Sequence, residues 1–448
     1  MGSAKGAAVG AQGTAMMSAG FALSPAVGSR AACRFLLAWG LLALPCSAAV
    51  VPVSDVAGLR AAMQGAQAGD EIVLAAGLYD VDGNLNASAP GTAALPIAVR
   101  AAEPRSVLIR FGGFGGLVEG FRVSGSHWRF AGLDVEGACA LDENCEHAFH
   151  LFGNADATVL RNNVLRDFNA QVKSNGGSVA GVFVFPDDVL IERNTLHDTR
   201  ARDTANPVTK LDVVGGRRWI VRANTIHDFQ KGAGDNISYG AFLKGNSRDG
   251  LFERNLVRCA RFTSGGIRIG LSFGGGGTGA QFCEEGSCVT EHQNGSLRNN
   301  IIMDCSDVGI YINRGAGTRV MHNTLYATAG IDVRFPTSTA DVRNNLLGGA
   351  IRDRDGATST RSGNLAGVTP TQFAAWFADA SAADFRLLDG TAFVNQGAAA
   401  PQVTDDFCGT ARVDGALDIG AIEYVPAPAC LTTVGGGRLA VIFANGFE

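Results

Sequence analysis

The sequence predicts an all-β chain coiled into a single-stranded parallel β-helix, with a capping helix at its N-terminal end and an irregular C-terminal tail. Composition is the first observation behind this. The 448 residues hold 60 Gly but only 13 Pro, and 46% are hydrophobic, which excludes both collagen and a disordered chain. Short Val/Ile/Leu runs set among Gly and Asn call for many tight turns joined by strands. The second observation is an internal repeat. A turn asparagine followed by apolar residues recurs in RNNVLRD, ERNTLHD, RANTIHD, ERNLVRC, RNNIIMD, MHNTLYA and RNNLLGG, marking Asn163, Asn194, Asn224, Asn255, Asn300, Asn323 and Asn345. Gly132 in FAGLDVEG takes the same place one repeat earlier, so the steps are 31, 31, 30, 31, 45, 23 and 22 residues. The third observation is what lies between the markers: short β runs and turn residues, with no helical period. Self-similarity of this kind means a solenoid of about nine to eleven coils. Stacked asparagines would satisfy the buried amides at each bend.

The elements follow in chain order. Residues 1–49 read as a secretion signal with an overcalled start. Arg30 and Arg34 precede a short apolar run, and Ser47, Ala48 and Ala49 supply a cleavage site. No other stretch is long and apolar enough to cross a membrane as a helix. Residues 50–370 read as the β-helix, opened by an amphipathic capping helix over 54–67 that starts at Ser54 or Asp55. Residues 371–448 read as a C-terminal cap and tail, with TQFAAWFADA (371–380) as a short helix. The 45-residue step carries the insertion LSFGGGGTGAQFCEEGSCVTEHQ (271–293), a projecting loop of the kind that often holds function.

Charge and cysteines bound the partners. Residues 1–49 contain Lys5, Arg30 and Arg34 and no acid, so the mature balance is 34 basic against 42 acidic residues, or −8. That disfavours nucleic acid, whose affinity comes mostly from cationic contacts to phosphate. Eight cysteines remain after the signal, an even number suited to disulfides in an oxidising compartment. Cys139–Cys145, Cys283–Cys288 and Cys408–Cys430 are near one another in sequence. Cys259 and Cys305 lie at similar offsets after their markers, and coils stacked about 4.8 Å apart bring them within bridging reach. The expected product is a secreted or periplasmic monomer with no membrane partner.

A short strand about twelve residues before each marker defines a stripe. The strands are AFHLF (148–152), GVFVF (181–185), KLDVV (210–214), GAFLK (240–244), GIRIG (266–270), GIYIN (309–313) and GIDVR (330–334). Alternation sends the second and fourth residues inward, where they are apolar throughout. The outward third column reads His150, Phe183, Asp212, Phe242, Arg268, Tyr311, Asp332. The fifth reads Phe152, Phe185, Val214, Lys244, Gly270, Asn313, Arg334. Basic, aromatic and amide side chains sharing one groove beside a Gly-rich loop suit an anionic sugar chain. A plain solvated face with ion pairs of about 1 kcal/mol or less is the competing explanation.

The segment from about 51 to 360 resembles the secreted right-handed parallel β-helix proteins of proteobacteria. Within that group it is similar to polysaccharide lyases of the chondroitinase B and alginate lyase type. GAFLKGNSRDGLFERNLVRCARFTSGGIRIG (240–270) and GIDVRFPTSTADVRNNLLGGAIRDRDG (330–356) carry the likeness. It implies β-elimination on a uronate polymer, with Lys244 as base and Arg268 assisting the leaving oxygen. Tyr311 is an alternative acid. Asp212, Arg334, Asn313, His150, His292, Phe183 and Phe242 are the expected substrate contacts. The two acidic calcium ligands of those lyases are replaced here by Ile237 and Tyr239, leaving Asp212, Asp235 and Asn236 as the calcium candidates. DFRLLDGTAFVNQG and RVDGALDIGAIEY resemble the end of secreted β-helix proteins, and FANGFE resembles endings of exported ones. A free lysine has a pKa near 10.4, so a lysine base working near neutrality needs a downward shift of about 3 units, worth about 4 kcal/mol. Arg268 would push Lys244 down and Asp212 would push it up.

Other readings compete. Asp212 is either a metal ligand or partner of Lys244, or a salt-bridge partner of Lys210 or Arg217. Cys283, Cys288 and His292 suit a disulfide with a nearby histidine better than zinc. His150 with Cys145 and His147 lacks a complete metal-ligand spacing. GGGG at 274–277 lacks the Lys-Ser/Thr of a phosphate loop. A glycoside hydrolase needs two carboxylates within about 10 Å, and Asp212 and Asp332 fall four strands apart. A non-catalytic glycan-binding or adhesion solenoid is the alternative of a different class.

Overall fold

The computed structural model describes residues 48–112, 116–413, 415–424 and 430–437. The expected signal up to Ser47 and the FANGFE ending lie outside these residues. Three parallel sheets run the length of the coil. Among the described residues the first has twelve strands, from Val50–Val53 to Thr358–Ser362. The second has ten, from Gly77–Asp82 to Leu346–Leu347, and the third has eight, from His147–Phe152 to Ala350–Arg354. The central turns contribute one short strand to each sheet, and every pairing within these sheets is parallel between successive turns. The side chains that face inward, such as Leu160, Leu196, Val213 and Leu243, form one continuous core.

The bend between the first and second sheets is held by an asparagine ladder. Asn163 Oδ1 accepts from Leu133 N at 3.0 Å, and Asn194 Oδ1 accepts from Asn163 N at 3.0 Å and from Asn163 Nδ2 at 3.1 Å. The pattern repeats through Asn224, Asn255, Asn300, Asn323 and Asn345. It ends at Asn364, which accepts from Asn345 N at 3.0 Å after a step of 19 residues. Asn364, in SGNLAGV, is a ladder residue beyond the markers read from the sequence. Gly132 is one place out of register: Leu133 occupies the ladder position, and Gly132 aligns with Asn162. Both have positive φ, as do Arg193, Ala223, Arg254, Asn299, His322, Asn344 and Gly363 in later turns. The turn before each ladder residue is therefore left-handed, and Gly132 betrays that turn rather than the ladder.

The ends are covered. The helix Val56–Gln64 starts at Asp55, whose carboxylate accepts from Gly58 N, and buries Leu59, Ala62 and Met63 over the first coil. At the other end the helix Pro370–Trp376 is opened by a capping box between Thr369 and Gln372. The tail then runs back along the coil. Asn344 donates to Ala398 O, Asn299 to Asp405 O, and Gly435 N to Thr225 Oγ1. Its Phe377, Phe385, Phe393 and Phe407 bury the outer side of Ile301, Met303 and Leu346. The four cysteine pairs are bonded, with Cα separations of 5.6 Å for Cys139–Cys145, 4.8 Å for Cys259–Cys305, and 5.7 Å for both Cys283–Cys288 and Cys408–Cys430. Among the described residues no helix is long and apolar enough to cross a membrane.

Two strands of the expected stripe are replaced. GVFVF lies outside the third sheet. Val182–Val184 pairs antiparallel with Gly177–Val179 in an inserted hairpin, and the coil strand is Ala170–Asn175, which places Lys173 beside Asp212. GIRIG is slipped by four residues, so Ser272 and not Arg268 stands between Phe242 and Tyr311. Both errors have one cause. Counting back from the next marker works while nothing intervenes: 224 − 212 is 12 and 255 − 242 is 13. The hairpin stretches the count to 21 (194 − 173), and the 274–291 loop stretches it to 28 (300 − 272). A slip by an even number keeps the apolar alternation, so periodicity gives no warning.

The ladder generates a stability prediction. Asn255→Ala strips the acceptor from Asn224 N and Nδ2 and the donor from Val221 O, all in the buried bend. Thermal or denaturant unfolding should show a loss of about 2 kcal/mol or more, with the β-type circular dichroism retained.

Candidate active site

The outer face of the third sheet is a groove. Its central row in the true register is His150, Lys173, Asp212, Phe242, Ser272, Tyr311, Asp332 and Arg352. The 176–185 hairpin and the 274–291 loop rise along one edge, where the strands end. Across the strands on the other edge stand the loops at 199–207, 229–236 and 259–266.

The middle of the groove is a lysine–aspartate–lysine group. Lys173 Nζ lies 2.9 Å from Asp212 Oδ1. Lys244 sits diagonally across on the next strand, opposite Val214. Its ammonium lies 4.5 Å from the Phe242 ring centroid and donates to Gly276 O at 3.3 Å. Burial pushes Lys244 below the ordinary lysine range, Asp212 pulls it back up, and Lys173 pushes it further down. Burial alone would raise Asp212, yet Lys173 and Lys244 outweigh it and hold the carboxyl below its usual value. Asp212 thus pairs with neither Lys210 nor Arg217. Lys210 is fully buried and bonded to Asp198 Oδ2 at 2.5 Å, and Arg217 binds Glu284 Oε1 at 2.6 Å.

The glycine loop folds over this lysine. A Cβ on Gly274, which has φ +87°, would stand 1.8 Å from Asn313 O, and one on Gly275 would meet Lys244 Cδ at 3.2 Å. Only glycine lets the loop lie so close. The loop is anchored by Cys283–Cys288, by Glu284 with Arg217, and by Glu291, whose Oε2 accepts from Gly245 N at 2.9 Å.

Around this centre stand two carboxylates that sequence reasoning missed, Glu119 and Glu146. Glu119 Oε1 lies 2.9 Å from His150 Nδ1, and this bond holds the carboxyl low. His150 Nε2 meets Asn175 Oδ1 at 2.7 Å. Glu146 accepts from Asn206 Nδ2 at 2.9 Å and is raised by burial. His147 is pushed down to about 3 by burial, then by His150 and Lys173. Lys173 was legible as the alternating AQVKSN ten residues after Asn163; the more apolar GVFVF masked it. Beyond Phe242 the face becomes apolar and aromatic. Tyr239 stands 5.2 Å from Phe242 between ring centroids, and Ile269, Val308 and Tyr311 cluster beside it. Tyr311 Oη accepts from Arg334 Nη1 at 3.3 Å. Asn313 is buried at the edge under the glycine loop. Arg334 pairs with Asp355, and Asp332 binds Arg352 at 2.6 Å and Arg354 at 2.7 Å.

Three expected site residues are elsewhere. Arg268 is 1% exposed, and its guanidinium donates to Cys259 O at 2.6 Å, Gly265 O at 2.8 Å and Gln230 Oε1 at 2.7 Å. It braces the 259–266 loop and does not reach the groove. His292 is buried beneath the insertion, stacked on Phe273 at 4.1 Å and bonded to Ser247 Oγ at 2.7 Å. Phe183 stands on the hairpin, 5.3 Å from Phe185 between ring centroids. The calcium candidates do not converge. Asp212 is tied to Lys173, Asp235 is bonded to Lys231 at 2.7 Å, and Asn236 is an exposed turn residue. Among the described residues no group of three or more His, Cys, Asp or Glu side chains gathers around one point. The donor set does not fit the ion.

Comparisons agree on the fold. Residues 147–347 match the family described as "Right handed beta helix region". Among solved structures, the pectate lyase Pel9A superimposes with a TM-score of 0.54 at 15% identity, covering 81% of this chain and 90% of that one. The fold is a right-handed parallel β-helix. A PL6 polysaccharide lyase from Pseudopedobacter saltans (TM-score 0.39, 12% identity, 71% and 94% covered) and an alginate lyase from Paenibacillus sp. (TM-score 0.35, 17% identity, 71% and 97% covered) are more distant. None of the curated proteins matches the sequence.

Two titrations follow. On reductively methylated protein, carbon NMR should place Lys244 below the ordinary lysine range, and Asp212→Asn should lower it further, since Asp212 is what raises it. His292 and His322 are 0% exposed and held at about 3, so both fold neutral. Their unfolded forms bind a proton near pH 6.5, so stability is complete above that value. It should fall as pH drops toward 3, by up to about 1.4 kcal/mol per pH unit for each histidine, in unfolding free energies measured across that range.

Proposed function

We propose that the chain is a secreted or periplasmic polysaccharide lyase that cleaves an acidic, uronate-containing polymer by β-elimination in the third-sheet groove. The observation that carries this is Lys244: a half-buried lysine with a lowered pKa, one strand from the Lys173–Asp212 pair, on a face lined with aromatic rings. The fold shared with a pectate lyase supports the reading.

The sugar chain lies along the sheet, stacked on Phe242, Tyr239 and Tyr311. Lys173 and Arg334 neutralise uronate carboxylates. Lys244, freed from Gly276 O as the glycine loop gives way, takes the C5 proton as its neutral amine. The C4–O bond breaks, a C4–C5 double bond forms, and the leaving oxygen takes the Tyr311 hydroxyl proton. The lowered pKa of Lys244 makes the neutral amine accessible at lower pH than for a free lysine. Arg268 has no part in this scheme, because its donors are consumed inside the fold.

A non-catalytic glycan-binding solenoid is the second reading. Its support is that Lys244 is already engaged by Phe242 and Gly276, and that Arg268, the partner implied by the lyase resemblance, is buried.

The deciding experiment follows absorbance at the unsaturated-uronate band with pectate, alginate and glycosaminoglycans. A rise that drops at least about a thousandfold in Lys244→Ala is expected, the scale of losing a general base. Binding that persists in wild type and Lys244→Ala without any rise would overturn the lyase and leave the binding solenoid.

A further inference from the structure

One lip of the groove carries a built cationic feature of which the scheme above uses only Arg334. Every third-sheet strand except Ala170–Asn175 is followed by a residue in the left-handed region. Gly153, Gly215 and Gly245 hold that place in earlier turns, with φ of +62°, +75° and +71°. In the last three turns it falls to Arg314, Phe335 and Asp355, with φ of +59°, +76° and +51°. A bulky aromatic there is strained, and such strain concentrates where a side chain is needed. Phe335 carries two guanidinium groups: Arg314 lies 4.5 Å and Arg334 4.6 Å from its ring centroid. Arg334 has Asp355 as its counter-ion. Arg314 has no carboxylate partner among the described residues, and it is half-buried. Across this end Arg334, Arg352 and Arg354 pair with Asp332 and Asp355 and Arg361 pairs with Asp353, so with Arg314 the excess is two positive charges on a chain whose net charge is −5.

Position links the feature to the groove. Arg314 follows Asn313, which stands in the Lys244 column with Gly274 between them. The separation is two strands, about 10 Å, along the direction in which a sugar chain would lie. Two guanidiniums fixed by one ring, with one of them uncompensated, suit a planar anion that accepts paired hydrogen bonds.

We propose that Arg314, held by Phe335 beside Arg334, is a carboxylate-binding subsite that selects a uronate two strands beyond Lys244. This rests on the acidic-polysaccharide reading but not on cleavage. The test is calorimetric binding of oligogalacturonate and oligomannuronate, each compared with its methyl ester, to the mature protein. Arg314→Gln should weaken binding of the free acids tenfold or more and leave the esters unchanged. Arg314→Lys should recover only part of the loss, because it restores charge without the planar stack. Arg319→Gln, which removes an exposed arginine from the first sheet, should change neither. Thermal unfolding checks that each variant is folded. Equal weakening of acid and ester, or no change in either, overturns the subsite while leaving the acidic-polysaccharide reading intact. Failure of the wild type to bind any of the free acids overturns both.

Discussion

Everything in this molecule hangs on satisfying the backbone at one bend, coil after coil. A β-helix turns its chain sharply inside a buried stack, where an unpaired amide costs about 1–3 kcal/mol. The asparagine ladder meets that demand with a single side chain per turn. Each Oδ1 accepts from the backbone and the side-chain amide of the asparagine before it, and each Nδ2 donates both to a carbonyl one turn back and to the next asparagine's Oδ1. The left-handed residue just before each asparagine sets the direction of the bend. Because the ladder fixes the first two sheets so tightly, the third sheet and its connections are free to vary in length.

That freedom builds the groove. The spacing between ladder residues swings from 19 to 45 residues, and the additions leave the coil near the third sheet. The hairpin, the disulfide-closed glycine loop and the arginine-braced 259–266 loop wall a sheet face that would otherwise be flat. Buried ion pairs such as Lys210–Asp198 pin these connections from inside. Arg268 belongs to the same class: a charged side chain spent on backbone carbonyls, holding a wall of the groove and not reaching into it.

Inside the groove, proximity sets chemistry. Lys173, Asp212 and Lys244 come from three successive strands and are distant in sequence. One ammonium group, that of Lys173, is bonded to the Asp212 carboxylate, and the second, that of Lys244, lies one strand on against a ring and a glycine loop. Burial and like charge act in the same direction on Lys244, and Asp212 only partly opposes them. Further along, the character changes from this ionic centre to an aromatic shelf and then to an arginine-rich end, so the face has a direction.

The sequence by itself determined the coil, its ladder from Asn163 to Asn345, the capping helix, the disulfide pairs and five strands of the groove face, because each is written in local turn chemistry or in a repeat that survives reading along the chain. It also placed Lys244, Asp212, Phe242, Tyr311 and Arg334 on one face. Only the tertiary structure decided that Lys173 joins them, that Arg268 and His292 are buried, and that Arg314 shares a ring with Arg334. The physical reason is register. Alternation reports which side of a strand a residue faces, but a slip of two or four residues preserves it, and an insertion between strand and marker destroys the count that would reveal the slip. Pairing across coils is set by hydrogen bonds between residues tens of positions apart, and that information exists only once the chain has wound.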